Sequence, residues 1–224
     1  MKILSNDIKL NVSEIFYSIQ GEGTRAGLPC VFIRLQGCKL RCKWCDTPYA
    51  LKFNGDSSKM TFSEIIESVK KFGCKFIQIT GGEPLNQENV IPFMKLLCDK
   101  KLTVSLETSG AFDVSEVDKR VIKIMDIKCP ASGMVKLNKF ENINYINKKD
   151  EIKFVIADRK DFDWAMEIIK QYKLTKKTTN ILFSPAFDII EPVTLANWLL
   201  ESNIKARLQL QIHKYIWEPN TRGV

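Results

Sequence analysis

The sequence predicts an α/β fold built on parallel strands, on three observations: short β-rich runs recur along the chain, helical periods fill most gaps between them, and no repeat or low-complexity linker divides it. The runs are VFIRL (31–35), KFIQIT (75–80), LTVSLET (102–108), VIKIMDIK (121–128), EIKFVIA (151–157), NILFS (180–184) and ARLQLQI (206–212). The plainest helix is TFSEIIESVKKFG (61–73). There Thr61 and Glu64 have capping-box spacing, Ile65, Ile66, Val69 and Phe72 make one apolar face, and Gly73 suits the stop. DFDWAMEIIKQY (161–172) and PVTLANWLLES (192–202) read the same way. Right-handed crossovers curl such a sheet into a barrel or leave it open and doubly wound, and either architecture puts chemistry at the carboxyl ends of the strands. Unusual motifs fall there: a cysteine loop after the first run, GGEP after the second, SG after the third, CPASGM after the fourth and SPAF after the sixth.

The chain has 224 residues, 45% of them hydrophobic, enough for a buried core without disulfides, and it is read as one domain over 1–224. Lys and Arg outnumber Asp and Glu by 34 to 26, a net +8. That excess favours anionic ligands or a loose affinity for nucleic acid, although a solvated basic surface is the plainer reading and no stable nucleic-acid complex is expected. The opening MKILSNDIKLNVSEIF has no signal-peptide core, and no apolar run approaches the ~20 residues of a membrane span, so a cytoplasmic location without membrane attachment is expected. Seven cysteines with one tight cluster then point to metal or redox chemistry. Cys30, Cys74, Cys98 and Cys129 sit in apolar or lone contexts and are read as packing residues.

Cys38, Cys42 and Cys45 are spaced C-x3-C-x2-C, so one loop can wrap three corners of a compact centre and leave the fourth open. Structural zinc is usually closed by four protein ligands, and the only histidine, His213, is remote in sequence. Catalytic zinc remains possible, but three thiolates without histidine or carboxylate would be unusual. A [4Fe-4S] cluster with one iron free to bind a small chelator suits the arithmetic better. SIQGEGTRAG (18–27) has glycines close to a nucleotide-binding pattern but is read as lacking the preceding strand and following helix which that fingerprint requires.

With Trp44 just before the third cysteine and TGGEP at 80–84, the chain resembles the radical S-adenosylmethionine enzymes. The stretch EIFYSIQGEGTRAGLPCVFIRLQGC followed by CDTPYA narrows the resemblance to the 7-carboxy-7-deazaguanine synthase family, and ETSG, DIKCPASGM, FSPAF and QLQIHKYIWEPNTRGV agree with it over nearly the whole chain. The resemblance implies a partial (βα)6-type barrel with parallel strands. It also implies a lyase reaction in which a 5'-deoxyadenosyl radical takes the C6 hydrogen of 6-carboxy-5,6,7,8-tetrahydropterin, the ring contracts, ammonia leaves and 7-carboxy-7-deazaguanine, the queuosine core, results. The cofactors implied are a [4Fe-4S] cluster, S-adenosylmethionine and Mg2+; the partners are the pterin, an external electron donor such as flavodoxin, and a second copy in a homodimer.

Residue by residue, the resemblance gives Cys38, Cys42 and Cys45 to the cluster and the Thr47 hydroxyl to magnesium. It gives Ile19, Gln20, Gly21, Glu22, Arg34, Thr80 and Pro219 to the substrate. Gly82, Asp126, Ile127, Lys128, Ser184, Pro185, Ala186 and Phe187 go to S-adenosylmethionine. Arg34 suits the substrate carboxylate, because its planar fork pairs bidentately; a plain salt bridge is the reading it displaces. Phe187 either stacks on adenine or fills the core, and the glycines of GGEP let backbone approach a ligand closely. Lys39 stands where the family often has asparagine, ETSG replaces the commoner ETNG, and DIK differs from the SPK of some relatives. His213 reads either as a pocket residue or, more often for a lone strand histidine, as a structural one, and it is left outside the catalytic set. Two rivals stand beside this reading: a glycyl-radical activating enzyme, which shares the cysteine motif but acts on a protein, and a zinc-stabilised RNA-binding module, which needs a fourth ligand and an aromatic-basic surface.

Overall fold

The strand Glu151–Ile156 shows what shapes the sheet: Glu151, Lys153 and Val155 share one face while Ile152, Phe154 and Ile156 share the other. In the computed structural model, which describes residues 8–55 and 57–224, the apolar face of that strand packs under helices and the polar face turns inward to a cavity. The strands are β1 (Lys9–Ile19), β2 (Pro29–Leu35), β3 (Ser58–Thr61), β4 (Phe76–Gly81), β5 (Thr103–Thr108), β6 (Ile122–Asp126), β7 (Glu151–Ile156), β8 (Ile181–Pro185) and β9 (Arg207–Leu208). They form one sheet in the order β3-β1-β2-β4-β5-β6-β7-β8-β9, parallel from β2 to β9, with β1 antiparallel to both its neighbours. The sheet does not close on itself, as a partial barrel requires.

The helices are α1 (Phe62–Lys70), α2 (Val90–Asp99), α3 (Arg159–Gln171), α4 (Leu174–Lys177), α5 (Pro192–Ser202) and α6 (His213–Ile216). α1 begins with the predicted capping box: Glu64 N donates to Thr61 Oγ1 at 3.2 Å, and Thr61 N donates to Glu64 Oε2 at 2.7 Å. Its Phe62, Ile65, Ile66 and Val69 are buried. Phe72, expected on that face, lies past the helix end, where it is exposed and stacks on Tyr17 with ring centroids 5.8 Å apart. α1 and α2 cover one half of the outer face through Ile33, Ile77, Ile79, Phe93 and Leu97. α3 and α5 cover the other through Phe154, Phe162, Phe183 and Leu195, with Phe154 and Phe183 centroids 5.5 Å apart. Each such fully buried side chain contributes about 1.5 to 3 kcal/mol by removing apolar area from water. Cys30, Cys98 and Cys129 are buried among apolar neighbours as expected, and all seven cysteines are free.

Several expectations need correction. β1 and β3 add an antiparallel wing that the periodicity did not reveal, so SIQGEGTRAG does follow a strand; only the helix after it is missing, replaced by a single 3-10 turn at Gly23–Arg25. ARLQLQI, expected as a strand over 206–212, pairs only at Arg207–Leu208. From Gln209 onward, glutamine side chains turn inward to Glu22 and the backbone leaves the sheet. No α-helix links β5 to β6 or β6 to β7; short 3-10 turns occupy the second gap. The reading of the N-terminal stretch as lacking a signal sequence falls partly on residues 1–7, outside the described residues. Among the described residues no helix is long and apolar enough to cross a membrane.

The loop after β1 crosses the polar face of the sheet. Gln20 Nε2 donates to Gln78 Oε1 on β4 at 3.1 Å, Glu22 pairs with Lys153 on β7, and Thr24 donates through N and Oγ1 to the buried Glu151 at 3.1 and 2.5 Å. Gln209 Oε1 accepts from Gly23 N at 2.7 Å, and Ile212 N donates to Gly21 O at 3.1 Å. The loop thereby becomes the floor of the cavity.

Candidate active site

The cysteine loop starts where β2 ends. Gly37 has φ +100°, the left-handed region that favours glycine, and turns the chain back so that its N donates to Ala50 O at 2.8 Å. Gln36 Nε2 braces the far limb by donating to Tyr49 O and Lys52 O at 2.9 and 2.7 Å. Arg41 Nη1 donates to Cys38 O and Leu40 O, each at 2.7 Å. Cys38 is buried and Cys42 and Cys45 partly so. Burial pushes the Cys38 thiol up to about 11 and raises Cys42 and Cys45 as well, the nearby Lys128 charge opposing this at both. At neutral pH the thiols therefore hold protons that a metal must displace to bind. Among the described residues no three His, Cys, Asp or Glu side chains form a group that could hold a single ion; a four-iron cluster spans more widely placed ligands.

The GGEP turn is fixed by the same loop. A Cβ on Gly82 would stand 2.5 Å from Gly37 O and 2.7 Å from Ala50 O, so glycine is required here by the cysteine loop's own backbone. Glu83 is buried and accepts from Thr108 Oγ1 at 2.9 Å, Ser109 N at 2.7 Å and Ser109 Oγ at 2.5 Å, tying the end of β4 to that of β5. ETSG thus supplies a hydroxyl where the commoner ETNG would supply an amide.

Loop, strand ends, floor and C-terminal segment enclose one cavity of about 610 Å3, within the usual size of small-molecule sites. All the predicted site residues line it except Ile127, which is buried in the core under the helices and reaches the strand end only through its backbone, its N donating to Lys153 O at 2.9 Å. Arg34 lines the cavity, yet it does have the salt-bridge partner that the sequence reading set aside: its Nε meets Glu14 Oε1 at 2.7 Å, and Tyr49 Oη donates to the same oxygen at 2.7 Å. Thr47 donates to Asp46 Oδ1 at 3.0 Å. Lys128 Nζ holds Asp126 Oδ2 at 2.8 Å, leaving Asp126 Oδ1 buried without a hydrogen-bond partner. Phe187 is not a core plug: it lines the cavity, with Lys214 Nζ 4.1 Å from its ring centroid.

Sequence reasoning missed the charge cluster on the floor. Lys153 lies between Glu22 and Glu107, 3.3 Å from Glu107 Oε1, and Thr80 Oγ1 donates to Glu107 Oε2 at 3.1 Å. Burial works against the ionised form of Glu22, but the Lys153 charge and hydrogen bonds from Lys153 and Gln211 outweigh it and hold the carboxyl below the ordinary range. Burial prevails at Glu107, with Glu22, Asp126 and Asp46 adding like charge, so this carboxyl is raised. His213, whose pocket reading was set aside, is the further case. It begins α6 rather than sitting in a strand, lines the cavity beside Gly21, where any Cβ would run into its ring, and is held neutral by burial. The signal for Glu107 and Lys153 was present: both are charges in otherwise β-rich runs, on the face opposite the apolar residues. The C-terminal contacts had none.

Residues 32–199 match the Radical SAM superfamily. The 7-carboxy-7-deazaguanine synthase of Koribacter versatilis is 42% identical over 96% of this chain and 100% of its own length. That of Chlorobaculum tepidum is 43% identical over 99% of this chain and 100% of its own. Among solved structures, QueE from Escherichia coli superposes with a TM-score of 0.76 at 22% identity, covering 92% of this chain and 95% of that one, which shows a shared fold. Streptococcus suis SuiB bound to S-adenosylmethionine gives a TM-score of 0.55 at 13% identity, over 78% of this chain and 45% of that one. By sequence over its full length and by fold, the chain belongs to the radical SAM superfamily and, within it, to the 7-carboxy-7-deazaguanine synthase family.

Proposed function

We propose that this chain converts 6-carboxy-5,6,7,8-tetrahydropterin to 7-carboxy-7-deazaguanine with loss of ammonia, supplying the core of 7-deazapurines such as queuosine. The observation that carries the reading is a single cavity with three free thiols and a glycine strand end at one side and a floor of amides and paired charges at the other. The names of its relatives support it.

The donor set suits a [4Fe-4S] cluster held by Cys38, Cys42 and Cys45, because thiolates are the usual iron–sulfur ligands and, among the described residues, no fourth thiol lines the cavity. Asp126 Oδ1, a buried acceptor without a partner, suits the ammonium of S-adenosylmethionine. Gly82, the backbone at Asp126, Ile127 and Lys128, and Ser184, Pro185, Ala186 and Phe187 would complete that subsite. Bound together, cluster and S-adenosylmethionine supply one-electron radical chemistry for hydrogen abstraction. Mg2+ prefers a few hard oxygens, and Thr47 beside Asp46 offers two at the cavity wall.

The chain's own residues bind and orient the pterin. Gln20, Glu22 and the backbone of Ile19 and Gly21 present donors and acceptors to its amide edge, with Thr80 and Pro219 as further contacts. Arg34 meets its carboxylate with the part of the guanidinium that Glu14 leaves free. Glu22 stays ionised beside Lys153, while Glu107 takes up a proton more readily and is the group able to hold or give one as ammonia leaves. An external electron donor, a homodimer and a cytoplasmic setting complete the reading.

The test is an anaerobic incubation of cluster-reconstituted protein with reductant, S-adenosylmethionine, Mg2+ and the pterin, read by mass spectrometry. Appearance of 7-carboxy-7-deazaguanine is expected. Formation of 5'-deoxyadenosine without it would overturn the substrate.

A further inference from the structure

Among the described residues five Lys and Arg side chains line the cavity, and three of them are committed to carboxylates: Arg34 to Glu14, Lys128 to Asp126, and Lys153 to Glu22 and Glu107. The other two, Lys214 and Arg222, form no ion pair with any described carboxylate. Lys214 overlies the Phe187 ring, in the part of the cavity read as the S-adenosylmethionine subsite. Arg222 belongs to the Arg34 corner instead. Its Cζ is 3.7 Å from the centroid of the Tyr49 ring, against which the Arg34 Cζ also rests at 5.9 Å, so one ring carries both guanidiniums. The segment that brings Arg222 there is a strap: residues 219–224 all line the cavity, and Thr221 N donates to Glu218 O at 2.9 Å in a turn within it. Among the described residues no hydrogen bond or ion pair ties 219–224 to the cavity wall, and the stack on Tyr49 is its charged contact there.

We propose that Arg222 is a second binding residue for the substrate carboxylate, carried on a C-terminal strap that latches onto Tyr49, and that it sets the preference for a 6-carboxylated pterin. The proposal rests on the substrate reading above and deepens it. Glu14 takes the Arg34 Nε and neutralises its charge, so Arg34 offers a ligand its remaining N–H groups but little net attraction. A carboxylate has about four lone-pair sites and can accept from two guanidinium forks at once. Arg222 supplies the charge that Glu14 cancels. Stacking on an aromatic face leaves the N–H groups in the guanidinium plane free to donate sideways, which a lysine ammonium in the same place would not reproduce. Because Arg222 is exposed in the free protein, it meets the ligand from the cavity mouth, and binding of the carboxylate draws the strap closed over it.

The test uses reconstituted full-length protein with S-adenosylmethionine and Mg2+, and two redox-stable probes that differ in one group, 6-carboxypterin and unsubstituted pterin. Binding of each is measured by anaerobic calorimetry for the parent, R222Q, R222K and, as a remote control with the same loss of charge, K176Q on α4. R222Q is expected to weaken 6-carboxypterin about tenfold or more while pterin stays within about twofold of the parent, and R222K to recover only part of the loss. The affinity for S-adenosylmethionine in R222Q and every affinity in K176Q should also stay within about twofold. Trypsin gives a second readout that needs no turnover: cleavage after Arg222, followed by intact mass, should be suppressed by 6-carboxypterin and not by pterin. The proposal is overturned if R222Q binds 6-carboxypterin as the parent does, if it loses pterin or S-adenosylmethionine by the same factor, if K176Q loses as much, or if 6-carboxypterin leaves the cut after Arg222 unchanged. A parent protein that binds neither pterin would instead fail the substrate reading and take the role of Arg222 with it.

Discussion

Replacing Lys153 with methionine isolates what holds the cavity floor together. The Lys153 side chain is 6% exposed and faces Glu22 and Glu107, whose side chains are 16% and 31% exposed. Removing one partner of a buried ion pair costs about 3 to 5 kcal/mol, because a charge is left without compensation. The lower end applies here, since Glu22 keeps hydrogen bonds from Gln209 Nε2 at 3.0 Å and Gln211 Nε2 at 2.7 Å, and Glu107 keeps access to cavity water. The cost must depend on pH. In the parent, Glu22 is held below the ordinary carboxylate range, so its contribution to stability is full above that range and is lost as pH falls through it. In Lys153→Met the burial of Glu22 is opposed only by the glutamine hydrogen bonds and its pKa moves up, so its penalty is full at high pH and is relieved on acidification. Urea unfolding followed by circular dichroism at pH 8, 6.5 and 5 should therefore show a deficit of about 3 kcal/mol that narrows as pH falls. Lys153→Met/Glu22→Gln should recover more than half of it at pH 8. A deficit under about 1 kcal/mol at pH 8, or one unchanged across the series, would refute the reasoning.

Cys42→Ala should abolish the brown cluster absorbance and all cleavage of S-adenosylmethionine, measured as 5'-deoxyadenosine by chromatography. Gly82→Ala, which sets a methyl 2.5 Å from Gly37 O, should displace the cysteine loop and lower iron and sulfide content on reconstitution while far-UV circular dichroism stays close to that of the parent. Arg34→Ala should spare the cluster and weaken substrate use by about 2 to 5 kcal/mol in kcat/KM. Because it also strands Glu14, Arg34→Ala/Glu14→Gln is the cleaner comparison, and any loss that persists there belongs to the substrate carboxylate. An unchanged KM in both would remove Arg34 from that role.

The parallel half of the fold was legible because each strand announces itself within a few residues: Ile152, Phe154 and Ile156 need a helix above them, and the pattern records that need locally. The same locality exposed the cysteine loop and GGEP. β1 was harder to see because KLNVSEIFYSI alternates poorly; its partners at Ser58–Thr61 lie about 50 residues away and are polar or half-buried. The last strand misled for the opposite reason, since LQLQI alternates well, yet its glutamines are recruited by a carboxylate nearly 190 residues earlier. His213 and the Glu22–Lys153 pair belong to this class of contact, in which each residue is ordinary alone and only the tertiary arrangement gives it a neighbour. Arg34 shows the intermediate case: its place at a strand end was readable, its commitment to Glu14 was not.

The stitching of the floor has a consequence for how the polypeptide matures. The 20–24 loop is secured by Glu151 and Lys153 and then by Gln209, Gln211 and Ile212, so its last fastenings are synthesised after every strand from β1 to β9. Both core clusters end at Leu195 or earlier in their fully buried members, and can consolidate before that point. A released chain truncated near residue 205 would carry a largely formed scaffold with its polar interior still open to water. Closure of the cavity floor is thus a later event of vectorial synthesis than the collapse that gives the protein most of its stability.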